Sequence, residues 1–147
     1  MRNHASRIVQ DALLALKRRG TITPERVVEA ARDPKSPLHS RFCWDDTEAA
    51  HQWRLQQARQ LIRVCVSVVP GTAVNERVFV SLSRDSQKEG GGYRVTAEVL
   101  SDAELREELL AEALKDLDIF KQKYARLSEL ADVFSAIVKV QKRKSIR

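Results

Sequence analysis

The sequence predicts a mainly α chain with a small antiparallel β-hairpin (α+β), on three observations. Three stretches near the front repeat apolar residues at helical spacing. Two runs that alternate apolar and polar residues then flank a glycine-rich tip. Beyond residue 100 no proline or glycine interrupts a heptad pattern that continues almost to the end.

The first helix is expected over residues 6–19, where Ile8, Ala12, Leu13 and Leu16 fall on one face and Gly20 stops it. The second has Thr23 as its cap and Pro24 at its first position, where a missing N–H costs nothing. Val27, Val28 and Ala31 form its apolar face, and Pro34 ends it. The linker that follows, residues 33–44, is expected to be drawn onto the core by Leu38, Phe42 and Trp44, with Cys43 between them read as core. The third helix starts at Asp45 or Asp46, either of which can cap it, and runs to about residue 63. Ala49, Ala50, Trp53, Ala58, Leu61 and Ile62 share one half of it; Glu48, Gln52, Gln56, Arg59 and Arg63 line the other. The β-branched run 64–69 reads as a strand closed by Pro70 and Gly71.

The hairpin is expected to pair residues 77–82 with 93–99. Val78, Val80 and Leu82 alternate with Phe79, Ser81 and Ser83, and Tyr93, Val95, Ala97 and Val99 with Arg94, Thr96 and Glu98. Its tip, residues 84–92, is too long for a tight turn, and Gly90, Gly91 and Gly92 make it mobile. Ser101 and Glu104 then form a capping box for one long helix. Leu110, Ala113, Leu117, Phe120, Tyr124, Leu127, Ala131, Phe134 and Val138 step by three and four along it. At 1.5 Å per residue, about 38 residues span roughly 57 Å, whereas a 100-residue domain has a radius of gyration of about 13 Å. The seam therefore meets a second copy, or the helix breaks and folds back. Under the first alternative Leu110, Leu117, Phe120, Tyr124, Leu127, Phe134 and Val138 form a homodimer interface.

Helices followed by a basic-tipped hairpin outline a winged helix, a nucleic-acid-binding design. The expected organisation is a winged-helix-like domain over residues 1–99 and a dimerisation helix with a basic tail over 100–147. The linker between the second and third helices departs from a compact helix-turn-helix, whose turn is about 3–4 residues.

Composition agrees with a basic partner-binding protein. The formal charge is +6 and the pI about 9.6, a balance that favours polyanions, nucleic acid before acidic membrane. The positive charge sits at the two ends: residues 1–63 hold 12 Lys/Arg against 7 Asp/Glu, whereas 101–138 hold 5 against 9. Lys139, Lys142, Arg143, Lys144 and Arg147 then form a basic tail, expected to be disordered. No apolar h-region opens the chain, so no secretory signal is expected. The apolar run 64–69 is far short of the roughly 20 residues a membrane helix needs. Two cysteines, Cys43 and Cys65, make no disulfide framework, and a cytoplasmic setting is the simplest.

The sharpest functional candidate is the stripe Gln52, Gln56, Arg59 and Arg63. Gln can pair with adenine and Arg with guanine in a major groove, and either can hold phosphate; a solvated helix face is the plain alternative. Arg84, Lys88 and Arg94 around the tip are expected to reach phosphates as a wing does, although Asp85 and Glu89 balance them. Lys142, Arg143 and Lys144 of the tail offer non-specific phosphate contacts. His39, Cys43, His51 and Cys65 match no zinc spacing, so no metal is expected. The three glycines lack the Gly-Lys-Ser/Thr of a phosphate loop, and no nucleophile–base pattern emerges, so neither cofactor nor catalysis is expected.

Val27 to Pro34, Ser36-Pro37-Leu38-His39, Phe42, Trp44-Asp45-Asp46, Ala49-Ala50-His51 and the stretch 54–63 resemble a group of small proteins encoded by bacteriophages and prophages. Val80-Ser81-Leu82, Gly90-Gly91-Gly92-Tyr93-Arg94 and the heptad helix resemble their second half. The resemblance implies a phage or prophage origin and an intracellular site of action, in the host cytoplasm or nucleoid. It also implies one of two roles: handling DNA, or binding a host protein. The expected function is a non-enzymatic, homodimeric DNA-binding protein, regulatory or accessory to DNA transactions. The alternative is an adaptor or inhibitor of a host factor acting through the C-terminal helix.

Overall fold

Two units, Met1–Asp102 and Ala103–Arg147, make up the chain in a computed structural model. It describes residues 2–44, 47–86 and 91–145, with side chains from Arg7 onward.

In the first unit, α1 (Arg2–Leu14) ends earlier than expected. The chain instead makes a tight turn in which Arg18 and Thr21 exchange backbone hydrogen bonds of 2.8 and 3.0 Å. Its central residues, Arg19 (φ 51°) and Gly20 (φ 79°), both lie in the left-handed region, the signature of a type I′ turn. Gly20 thus serves a turn rather than a helix end. α2 (Pro24–Ala31) is capped as expected, the Thr23 Oγ1 accepting from the Arg26 N–H, and it buries Val27, Val28 and Ala31.

The linker is pinned down. Leu38 and Phe42 are buried around a 3₁₀ turn, His39–Arg41. Trp44 stacks on the His39 ring at 5.0 Å, and its Nε1 donates to the His39 carbonyl. Cys43, expected in the core, is exposed.

α3 (Glu48–Arg63) is capped by Thr47, whose Oγ1 accepts from the Ala50 N–H, rather than by Asp45 or Asp46, which lie outside the described residues. Its buried side is Arg54, Leu55, Ala58 and Ile62, turned from the expected face: Ala49 is exposed and Trp53 is 59% exposed. The cause is Arg54. Its guanidinium donates to the Cys43 carbonyl (3.1 Å) and lies 5.4 Å from the centre of the Trp44 ring, so a charged residue takes an inward position that a hydrophobicity wheel gives to apolar ones.

β1 (Val66–Val68) and β2 (Asn75–Arg77) form an antiparallel hairpin in which Val66 faces Arg77 and Val68 faces Asn75. β3 (Phe79–Val80) pairs with β4 (Arg94–Val95), Phe79 opposite Val95 and Val80 opposite Arg94. Beside β4, Ile22 and Tyr93 exchange backbone hydrogen bonds of 2.7 and 2.8 Å. The hairpin expected over 77–82 and 93–99 is therefore much shorter. Ser83–Ser86 forms a helical turn, α4, and Thr96–Ser101 is a helix, α5. Thr96 ends the strand: its N–H donates to the Val78 carbonyl and its hydroxyl to the Arg77 carbonyl. Val95 and Val99 are four apart, a spacing that a strand and a helix turn to one side alike, so period two misled. Phe79, expected to face outward, is buried alongside Val78 and Leu82.

The second unit holds α6 (Ala103–Lys123), a long helix, and α7 (Ala131–Ser145), joined through the 3₁₀ turn Ser128–Leu130. The expected single helix is broken at Leu127, whose backbone is extended (φ −84°, ψ 99°). Folding back brings Phe120 within 6.3 Å of Phe134 and Gln141 Nε2 within 3.0 Å of Asp118 Oδ1. Part of the seam is thereby covered by the chain itself. Ser101 does not cap α6; it is the last residue of α5, and its hydroxyl donates back to the Glu98 carbonyl. The tail residues Lys139, Lys142, Arg143 and Lys144 belong to α7 rather than to a disordered end, while Arg147 lies outside the described residues.

Candidate nucleic-acid interface

α3 carries the most distinctive surface of the first unit. Gln52, Gln56 and Arg63 are exposed and Arg59 is half-buried. Gln52 is tied to its own helix, its amide donating to the Glu48 carboxylate at 3.2 Å. An open groove of about 470 Å³ runs along this helix, lined by Trp53, Gln56, Gln60 and Arg63, with Arg41 joining from the linker. Of the expected stripe, the groove takes Gln56 and Arg63 and leaves out Gln52 and Arg59.

Trp53 and Arg41 were missed in the sequence for opposite reasons. Trp53 is apolar and falls on the half of the wheel assigned to the core. Arg41 is fifteen positions from Gln56 and reaches the groove only because Leu38 and Phe42 anchor the linker. The groove's chemistry is mixed: two guanidiniums, the three amides of Gln56, Gln57 and Gln60, the aliphatic Leu61 and Val64, and an indole with most of its surface in water. Guanidiniums hold phosphate, amides pair with base edges, and an exposed ring offers a stacking face.

The hairpin tip does not join it in the expected way. Arg94 makes a bidentate ion pair with Asp85, Nε to Oδ2 at 2.6 Å and Nη2 to Oδ1 at 2.8 Å. Asp85 is fully buried. The Arg94 cation is therefore committed to the fold and is not a wing-tip phosphate ligand. Arg84 is exposed on α4, and Lys88 lies outside the described residues. The tip is also fastened at its far end, where the Ser81 hydroxyl donates to the Gly92 carbonyl at 2.7 Å.

No family model, curated protein or solved structure matches this chain.

In the second unit, Lys142 and Arg143 are exposed on the last turns of α7, while Lys144 pairs with Glu107 at 2.7 Å. The seam is unevenly used. Leu117, Tyr124, Phe134 and Val138 are half-buried; Leu110, Phe120 and Leu127 remain exposed, as do Ile119, Val133 and Val140. Asp118 is held below the usual carboxylate range, first by the Gln141 amide and then by Lys121. Burial pushes the Cys65 thiol up. Among the described residues no cluster of His, Cys, Asp or Glu stands ready to hold a metal ion, and no helix is long and apolar enough to cross a membrane.

Proposed function

We propose that the protein is a non-enzymatic DNA-binding module of phage type, acting as a homodimer in regulation or another DNA transaction. The observation that carries this reading is the α3 groove, where Arg41, Arg63, Gln56, Gln60 and an exposed Trp53 converge. Trp53 keeps 59% of its surface exposed, and an indole flanked by guanidiniums and amides suits a partner that is both anionic and aromatic.

The element order supports a winged-helix-like reading. Ile22, between α1 and α2, bridges to Tyr93 beside β4, and β4 pairs with β3. Helix, edge residue, two helices and a returning hairpin follow one another in the order such a domain uses. The β1–β2 hairpin interrupts that order between α3 and β3 and adds a second projecting element with exposed Val66, Val68 and Val74.

Duplex binding measured at two salt concentrations tests the proposal. Three phosphates, two neutralised by Arg41 and Arg63 of the groove and one by Arg59, outside the groove on α3, correspond to a log–log salt slope of about −2.7.

A second reading, capture of a host protein, draws on the second unit. Ile119 is 62% exposed, and Leu110, Leu127 and Val140 are each more than 40% exposed. In the homodimer reading these residues face a second copy. A protein partner retained from nuclease-treated lysate in place of self-association favours the host-protein reading.

A further inference from the structure

We propose that the hollow at the α1–α2 turn is a binding site for a phosphate oxyanion, free or esterified. The hollow measures about 390 Å³, within the roughly 300–1,000 Å³ of small-ligand sites. Arg18, Arg19 and Arg26 line it together with Thr21 and Thr23, and Gly91 and Gly92 complete the wall. Among the described residues one carboxylate, Asp85, also reaches it, and that carboxylate is engaged by Arg94 through two hydrogen bonds. Three guanidiniums thus surround a space whose described acid is already matched by a fourth guanidinium; the Thr21 hydroxyl donates to the Arg18 carbonyl, and the Thr23 hydroxyl, which accepts from the Arg26 N–H, keeps its own proton to donate. Guanidinium forks suit phosphate oxygens better than any other side chain.

One of the three cations is held in place, and a second sits at a position its turn does not favour. Arg26 Nη1 donates to the Thr21 carbonyl at 2.7 Å and to the Leu16 carbonyl at 3.3 Å, which fixes the guanidinium before any ligand arrives and lowers the entropy cost of binding. Arg19 occupies the first central position of the type I′ turn at φ 51°. Asn and Gly fill that position with least strain. An arginine there is a poor choice for the turn and a good one for the lip of an anion site. Gly20 lets the turn close: a Cβ at that position would meet Arg94 Nη1 at 3.2 Å.

The site uses none of the α3 groove residues, so it stands or falls separately from DNA binding. The test is a titration of inorganic phosphate into the full chain at constant ionic strength, following the arginine Nε–H resonances by NMR. Saturable shifts confined to the arginines of this hollow are expected. Arg19→Gly should weaken phosphate binding about tenfold, the loss of one charge-assisted hydrogen bond, while leaving the melting temperature equal or higher because glycine relieves the turn. Shifts spread evenly over all arginines, or unchanged affinity in Arg19→Gly, would overturn the proposal. Competition by oligonucleotides with and without a 5′-phosphate then identifies the source. Displacement by both points to a backbone phosphodiester, by the phosphorylated one alone to a terminal monoester, and by neither to a small free phosphate.

Discussion

Arg94 grips Asp85 with two hydrogen bonds, 2.6 and 2.8 Å long, from a strand of the β3–β4 pair to a carboxylate on α4 that no solvent reaches. The pair ties α4, the first described part of a tip that reads as mobile, to the β3–β4 pair. It also removes from the surface a cation that its position in the sequence offers to a ligand. Asp85→Asn should therefore destabilise the first unit by about 3 kcal/mol, the low end for breaking a buried pair, because the Arg94 side chain keeps 17% of its exposure. Arg94→Lys should not restore stability, since an ammonium cannot form the fork. Urea denaturation monitored by circular dichroism checks both.

The two cysteines report on the placement of α3 and the strand after it. Cys43 is exposed and Cys65 is buried, with its thiol shifted upward by desolvation. A thiol reagent at neutral pH should titrate one group at once in the native protein and the second only after denaturant is added. Two fast thiols would mean that the Cys65 region is open.

Much of this arrangement is legible in the residues, and the misses share a cause. Thr23 with Pro24 sets the start of α2 because a cap is a local device, made by residues within one turn. The anchoring of the linker follows from Leu38 and Phe42 in the same way. What cannot be read locally is which partner satisfies a charged residue. Arg54 turns inward because Trp44 and the Cys43 carbonyl await it, and Arg94 because Asp85 does; both partners are set by tertiary structure. The same holds for the long helix. Its heptad seam is real, yet Leu127 adopts an extended backbone, and Phe134 returns to Phe120. Covering the seam within one chain was one of two outcomes that the length argument allowed. The candidate site was half legible: Gln56 and Arg63 line the groove, but Trp53 reads as core and Arg41 as a linker charge.

Acid should loosen the α6–α7 hairpin at one identifiable contact. Asp118 has its pKa lowered in the folded state, chiefly by Gln141. A lowered folded value means that the contribution is present above the ordinary carboxylate pKa, about 3.9. It is lost as pH falls through the lowered value. Asp118→Asn should make the acid branch of the helicity profile shallower below about pH 4. An unchanged acid branch would exclude Asp118 as the responsible group.

We predict self-association through the apolar surface left after the hairpin closes. Light scattering should give a mass near twice 16.7 kDa. Ile119→Asp together with Leu110→Asp should return it to the monomer without loss of helicity, because both side chains are exposed in the single chain. A concentration-independent monomer in the unaltered protein would contradict the homodimer.

The most direct test of the central claim is the affinity for a labelled DNA duplex at about 50 and about 200 mM salt, for the unaltered protein and for two single variants. Binding should weaken about forty-fold across that interval, in line with a slope of about −2.7. Arg63→Gln should make the slope shallower by about 0.9, whereas Trp53→Ala should weaken binding about tenfold with the slope unchanged. No binding at the lower salt, or affinity indifferent both to salt and to Trp53 and Arg63, would contradict it.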